Sequence, residues 1–220
     1  MERYSKLSGV MAKSIVAFIF IFLPFSLWGQ VRVTYVNIEN QELLDFFRFE
    51  EIEYVKLSFT SEDLADKTYQ LSVKEIHNGE ITKDSVFLNC RELFESMGYP
   101  DYFKTVGDTV LEIRVISKLT AENKLKMNFM FPRFSFPIEF DAIETKDKYS
   151  LRFMGMETVE YDESFYLLAY ILPYDLGNGM KSYCEVDRNG KDILNWGGKF
   201  GIKHYLVFEM KFEPFFTDQT

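Results

Sequence analysis

Two histidines, two cysteines and a set of tyrosines are the side chains of this 220-residue chain whose types could support chemistry. His77 and His204 stand far apart, and no HExxH or clustered His/Cys spacing surrounds either, so the sequence predicts no zinc or other transition-metal site. His204 falls on the apolar side of an alternating C-terminal segment, where a hydrogen-bonded core histidine is expected. His77 adjoins Asn78-Gly79 and is expected in solvent. Cys90 and Cys184 make an even pair, which in an oxidising compartment points to a disulfide joining the two halves of the chain. The alternative is two buried thiols acting as small apolar side chains.

Other patterns fall short of a site. Gly177-Asn178-Gly179-Met180-Lys181-Ser182 approaches a dinucleotide fingerprint. That fingerprint needs a turn from strand into helix, with the pyrophosphate on the helix N-terminus. The residues that follow, KSYCEV, read as a strand, so the glycines are a turn. Asp187, Asn189 and Asp192 offer oxygen ligands, but their glycine sits too early for a calcium loop. Asn-Gly turn chemistry explains the same residues. There is no G-x-S-x-G elbow. Carboxylates are abundant, among them Glu50, Glu51, Glu53, Asp141 and Glu144. A glycoside hydrolase needs two of them facing across a cleft, and spacing along the chain defines no such pair. No cofactor is expected.

The aromatics carry the binding expectation. Tyr166, Tyr170 and Tyr174 run along one segment and its end, and Trp196 lies in a late loop. Exposed rings of this kind stack on sugar faces or serve protein interfaces, and the alternative is that they line a core.

The elements that must position these residues are strands. Leu111, Ile113 and Val115 alternate with Glu112 and Arg114. Leu125, Met127, Phe129 and Phe131 alternate with Lys126 and Asn128. His204, Leu206, Phe208, Met210 and Phe212 alternate with charged neighbours. Tyr69, Leu71 and Val73 lead into Asn78-Gly79, the strongest hairpin signal in the chain. FYLLAYILP (165–173) is apolar on both faces and predicts a strand that is covered on both sides or that shows one apolar face to something else. Two short helices interrupt the pattern, one capped by Asn40 and one by Asn89 with Glu92 three residues on. The expected architecture is a mainly β, antiparallel β-sandwich with two short helices. The alternatives are an α+β domain with one large sheet and a closed β-barrel.

Residues 14–28 (SIVAFIFIFLPFSLW) follow Arg3, Lys6 and Lys13 and precede Gly29-Gln30. Positive start, short apolar run and small residue read as a secretory signal peptide over residues 1–29. The run is shorter than the ~20 residues that span a bilayer, and no cysteine follows it for lipidation. Residues 30–220 would form one β-rich domain, with residues 98–108 as the place for a sub-boundary. Losing the leader takes the net charge from −9 to −11, which disfavours nucleic acid as a partner. The expectation is a periplasmic or secreted module without enzymatic activity that binds a protein or glycan. The alternatives are a carbohydrate-active hydrolase with paired carboxylates and a lipid-binding barrel.

Overall fold

In the structure, a computed structural model, residues 29–177, 179–183 and 192–215 are described. The sequence-predicted leader and Cys184 therefore lie outside the described residues, as do Asp187 and Asn189.

Two antiparallel sheets pack face to face. The first has β7 (Ser135–Asp141), β6 (Lys124–Met130), β5 (Val110–Leu119), β2 (Glu53–Thr60), β1 (Gln30–Tyr35) and β9 (Thr158–Glu160), side by side in that order. The second runs β4 (Glu80–Asn89), β3 (Lys67–His77), β13 (His204–Pro214), β10 (Phe165–Ile171), β8 (Ser150–Phe153). A two-stranded ribbon joins β11 (Tyr174–Asp175) to β12 (Lys181–Ser182). Each sheet keeps two edge strands, so neither closes into a barrel. Pro137 sits in edge strand β7, where its missing N–H costs no ladder bond.

The period-two pattern of the sequence becomes the interface between the sheets. Val55, Leu57 and Phe59 of β2 and Leu111, Ile113 and Val115 of β5 are buried from one side. Tyr69, Leu71 and Val73 of β3 and Leu206, Phe208, Met210 and Phe212 of β13 are buried from the other. Rings meet across the gap: Phe59 against Phe212 at 5.5 Å, Phe129 against Phe208 at 5.4 Å and Phe140 against Phe208 at 5.9 Å between centroids. Offset and edge-on pairs of this kind add to the area that they bury. Strands from both sides of residues 98–108 pair with each other, β2 with β5 and β3 with β13, so that segment separates no sheets.

The turn chemistry appears where the sequence placed it. Asn78 and Gly79 both take positive φ (52° and 86°), closing the β3–β4 hairpin. Asn40 Oδ1 accepts from Leu43 N–H at 3.0 Å and starts α1 (Gln41–Phe49). Asn89 Oδ1 accepts from Glu92 N–H at 3.2 Å and starts α2 (Cys90–Ser96). Two further helices, α3 (Asp101–Lys104) and α4 (Trp196–Phe200), were not anticipated. Each is about one turn, too short to carry a helical period. Among the described residues no helix is long and apolar enough to cross a membrane.

Cys90 is buried in the first turn of α2 and is bridged to no other described residue; Cys184 lies outside the described residues. Burial pushes the Cys90 thiol up to about 11, so it stays protonated and a poor nucleophile at neutral pH.

Candidate functional site

The expected aromatic face is not formed. Tyr170, Tyr174 and Trp196 are buried, and Tyr166 is partly buried. The cause is the position of β10, which is covered on both faces. Leu168 and Tyr170 lie opposite Phe208 and Leu206 and face the core. Ala169 and Ile171 lie opposite Val207 and Tyr205 on the outer side. That side is closed by the segment containing α4, where the Tyr205 hydroxyl donates to Ile193 C=O at 2.8 Å. Trp196 packs near Tyr205, and Tyr174 stacks on Phe200 at 4.7 Å. Trp196 is thus a helical core residue and not a loop platform.

The exposed apolar groups lie elsewhere. α1 has five apolar residues of nine and buries none of them. Phe47 stacks on Tyr54 at 5.5 Å and tethers the helix, while Leu43, Phe46 and Phe49 face solvent, Phe49 at 83% exposure. Beside its C-terminal end lies a cleft of about 580 Å³ with walls from Ile52, Ile116, Met127, Pro137 and Ile138. Its charged rim is internally paired, Lys118 with Glu50 at 3.2 Å and Lys126 with Glu139 at 3.5 Å.

Ile52 also borders a second cleft of about 300 Å³, lined by Phe47, Glu51, Glu53, Lys148, Tyr149 and Tyr170 among others. Its two carboxylates have opposed acidities. Burial raises Glu53, whereas a hydrogen bond from Lys148 lowers Glu51. Tyr149 and Tyr170 are pushed up to about 12, both chiefly by burial.

Behind Tyr149 the two histidines meet. The β3–β13 register sets His204 opposite His77, and Glu75 lies two residues before His77 on the same face. Directly opposed residues of an antiparallel pair share a side, which brings the imidazoles together. Their rings stack at 4.2 Å between centroids and 29° between planes. Glu75 Oε1 is 2.9 Å from His77 Nε2 and 3.3 Å from His204 Nε2. On its other side His204 Nδ1 shares a hydrogen bond with the Tyr149 hydroxyl, which also accepts from Ile143 N–H at 3.3 Å. His204 has no solvent exposure, and its value falls to about 4, first because burial penalises its cation and second because His77 is adjacent. At neutral pH it is an uncharged ring.

His77 stands beside the turn as its sequence position suggested, but it is only partly exposed, with its ring packed on His204. Asn78-Gly79 marked the end of β3 correctly, but only the choice of β13 as its neighbour reveals the cluster. Compared with known proteins, the chain matches no family model, no curated protein and no solved structure.

Proposed function

We propose that the chain is an exported, non-enzymatic β-sandwich module that docks a partner protein in the periplasm or outside the cell through α1 and the adjoining apolar cleft. The observation that carries this reading is a helix that displays Leu43, Phe46 and Phe49 and buries nothing. Nine residues are fewer than the ~12–15 that sustain an isolated helix in water. The Asn40 cap and the Phe47–Tyr54 stack hold α1, and Leu43, Phe46 and Phe49 are left for a partner. Covering a phenyl ring contributes about 1.5–3 kcal/mol. A protein suits this surface better than a glycan. Among the described residues no aromatic ring lines the cleft and the charges on its rim are already paired, whereas a sugar needs a flat ring to stack on. An aliphatic or aromatic anchor from a partner fits such a pocket. The leader read from residues 1–29 supports export.

The test places a photo-reactive amino acid at Phe49, and as a control at exposed Tyr102, in cells that make the full chain. One defined adduct is expected from position 49 only, weakened by Phe46→Ser, on a protein whose mass begins at Gln30. No adduct from position 49, an adduct only with a second copy of the chain, or a cytosolic protein that keeps its leader would each defeat the proposal.

A second reading, a hydrolase with paired carboxylates, has the Glu51–Glu53 cleft in its favour, since opposed acidities are the pattern of an acid/base pair. It predicts release of reducing ends from envelope polysaccharides, slowed ~100-fold or more in Glu53→Gln. Absence of release in the wild type removes this reading.

A further inference from the structure

We propose that Glu75, His77 and His204 form a binding site for one divalent transition-metal ion of the zinc class, with Tyr149 as the partner that fixes the His204 ring. None of the three ligands belongs to the α1 surface, so the inference stands apart from the docking reading.

The carboxylate-to-imidazole distances are those of a ligand set, and the stacked rings need to turn for both Nε2 lone pairs, which lie in the ring planes, to meet on one ion. In a tetrahedral site with bonds of about 2.0–2.2 Å, neighbouring ligand atoms lie roughly 3.3 Å apart. Here the carboxylate oxygen is 2.9 Å from one imidazole nitrogen and 3.3 Å from the other, and the three ligand atoms all lie within 4.8 Å of one another. Both rings present the same nitrogen, Nε2, to the same carboxylate oxygen. Hydrogen bonding alone leaves a group over. His204 Nε2 is close to Glu75 but not aligned for a hydrogen bond, so it is a buried nitrogen without a partner. Unpartnered buried polar atoms are rare and call for an explanation, such as an ion.

The charge balance points the same way. Glu75 is only 16% exposed at its side chain, and among the described residues only the two histidines come within ion-pair distance of it. A largely buried carboxylate between two imidazoles, with no lysine or arginine within ion-pair distance among the described residues, favours a dication. Two imidazoles and one carboxylate suit zinc and its neighbours better than calcium or magnesium, which prefer all-oxygen sets. With three protein ligands, a fourth position stays open on the side of His77, which is 33% exposed at its side chain.

The backbone holds the ligands in place. Asn78 N–H donates to Lys203 C=O at 2.8 Å, extending the ladder one step past His77 and His204. The Gly79 turn packs directly on Gly197, where an added Cβ would lie 2.4 Å from Gly79 Cα. Tyr149 occupies the outer position that a metal-bound histidine ordinarily fills with an oxygen partner on its second nitrogen.

The experiment strips the purified protein with a chelator and titrates it with Co²⁺, then Zn²⁺, following visible d–d absorption and thermal midpoint. One Co²⁺ per chain is expected, displaced by Zn²⁺, with a rise in midpoint that Ca²⁺ does not give. His77→Ala and Glu75→Gln are expected to weaken binding by ~100-fold or more, and Tyr149→Phe by ~10–100-fold. His77 lies at the rim and Gln keeps the shape of Glu75, so at least one ligand variant should fold, as judged by its metal-free midpoint. Uptake of neither ion by the wild type overturns the site, and so does a titration that neither ligand variant alters. Unchanged affinity in Tyr149→Phe overturns its part in the site.

Discussion

Acidifying the metal-free protein from pH 7 to pH 4 is expected to remove about 3 kcal/mol of folding stability through His204 alone. In the unfolded chain this ring takes a proton near 6.5, and in the fold only near 4. The unfolded state therefore binds the proton first. Stability from the uncharged ring is complete above about pH 6.5 and is lost as pH falls towards 4. The groups that face the ring are Glu75 and His77 from β3 and Tyr149 from the segment before β8. Glu75 opposes the shift, but burial and His77 outweigh it. Urea unfolding at pH 7, 6 and 5 in the presence of chelator measures the effect. A His204→Gln variant should show a much flatter pH dependence over that interval. If both proteins lose stability at the same rate, the buried neutral ring does not govern it.

The second large effect lies in the core. Phe208→Ala is expected to lower stability by about 3–5 kcal/mol. Its ring is fully buried and is touched by Phe87, Phe129 and Phe140, which come from both sheets, so truncation opens a cavity between walls that cannot both collapse into it. The urea midpoint should fall while the slope of the transition stays constant. Phe46→Ala, by contrast, removes an exposed ring and should stay within ~0.5 kcal/mol of wild type. A loss below ~1 kcal/mol in Phe208→Ala would mean that the two sheets do not meet at this ring.

The contrast between Phe208 and Phe46 also marks where the sequence is informative. Alternation around Phe208 identifies both a strand and its buried face, because a half-covered strand repeats every two residues. Asn78-Gly79 identifies a hairpin, and Asn40 and Asn89 identify helix starts, because each is a local backbone requirement. Tyr170 is harder. FYLLAYILP leaves open whether its second apolar face is covered or displayed, and no local signal says that α4 covers it, since WGGKF has no periodicity. The histidine cluster is not legible at all. His77 and His204 meet only because β3 chooses β13 as its neighbour, a decision made by the whole arrangement of strands. α1 was readable as a helix with an apolar face, but not as one left uncovered.

β13 has a consequence for how the molecule comes into being. It lies in the middle of the second sheet, bonded along eleven residues to β3 on one flank and to β10 on the other. Until residues 204–214 leave the ribosome, the hairpin β3–β4 and the pair β8–β10 have nothing to join them, and the first sheet has no opposite wall. Assembly of the second sheet therefore waits on pairings between strands far apart in the chain, which makes its closure a late and slow step of folding.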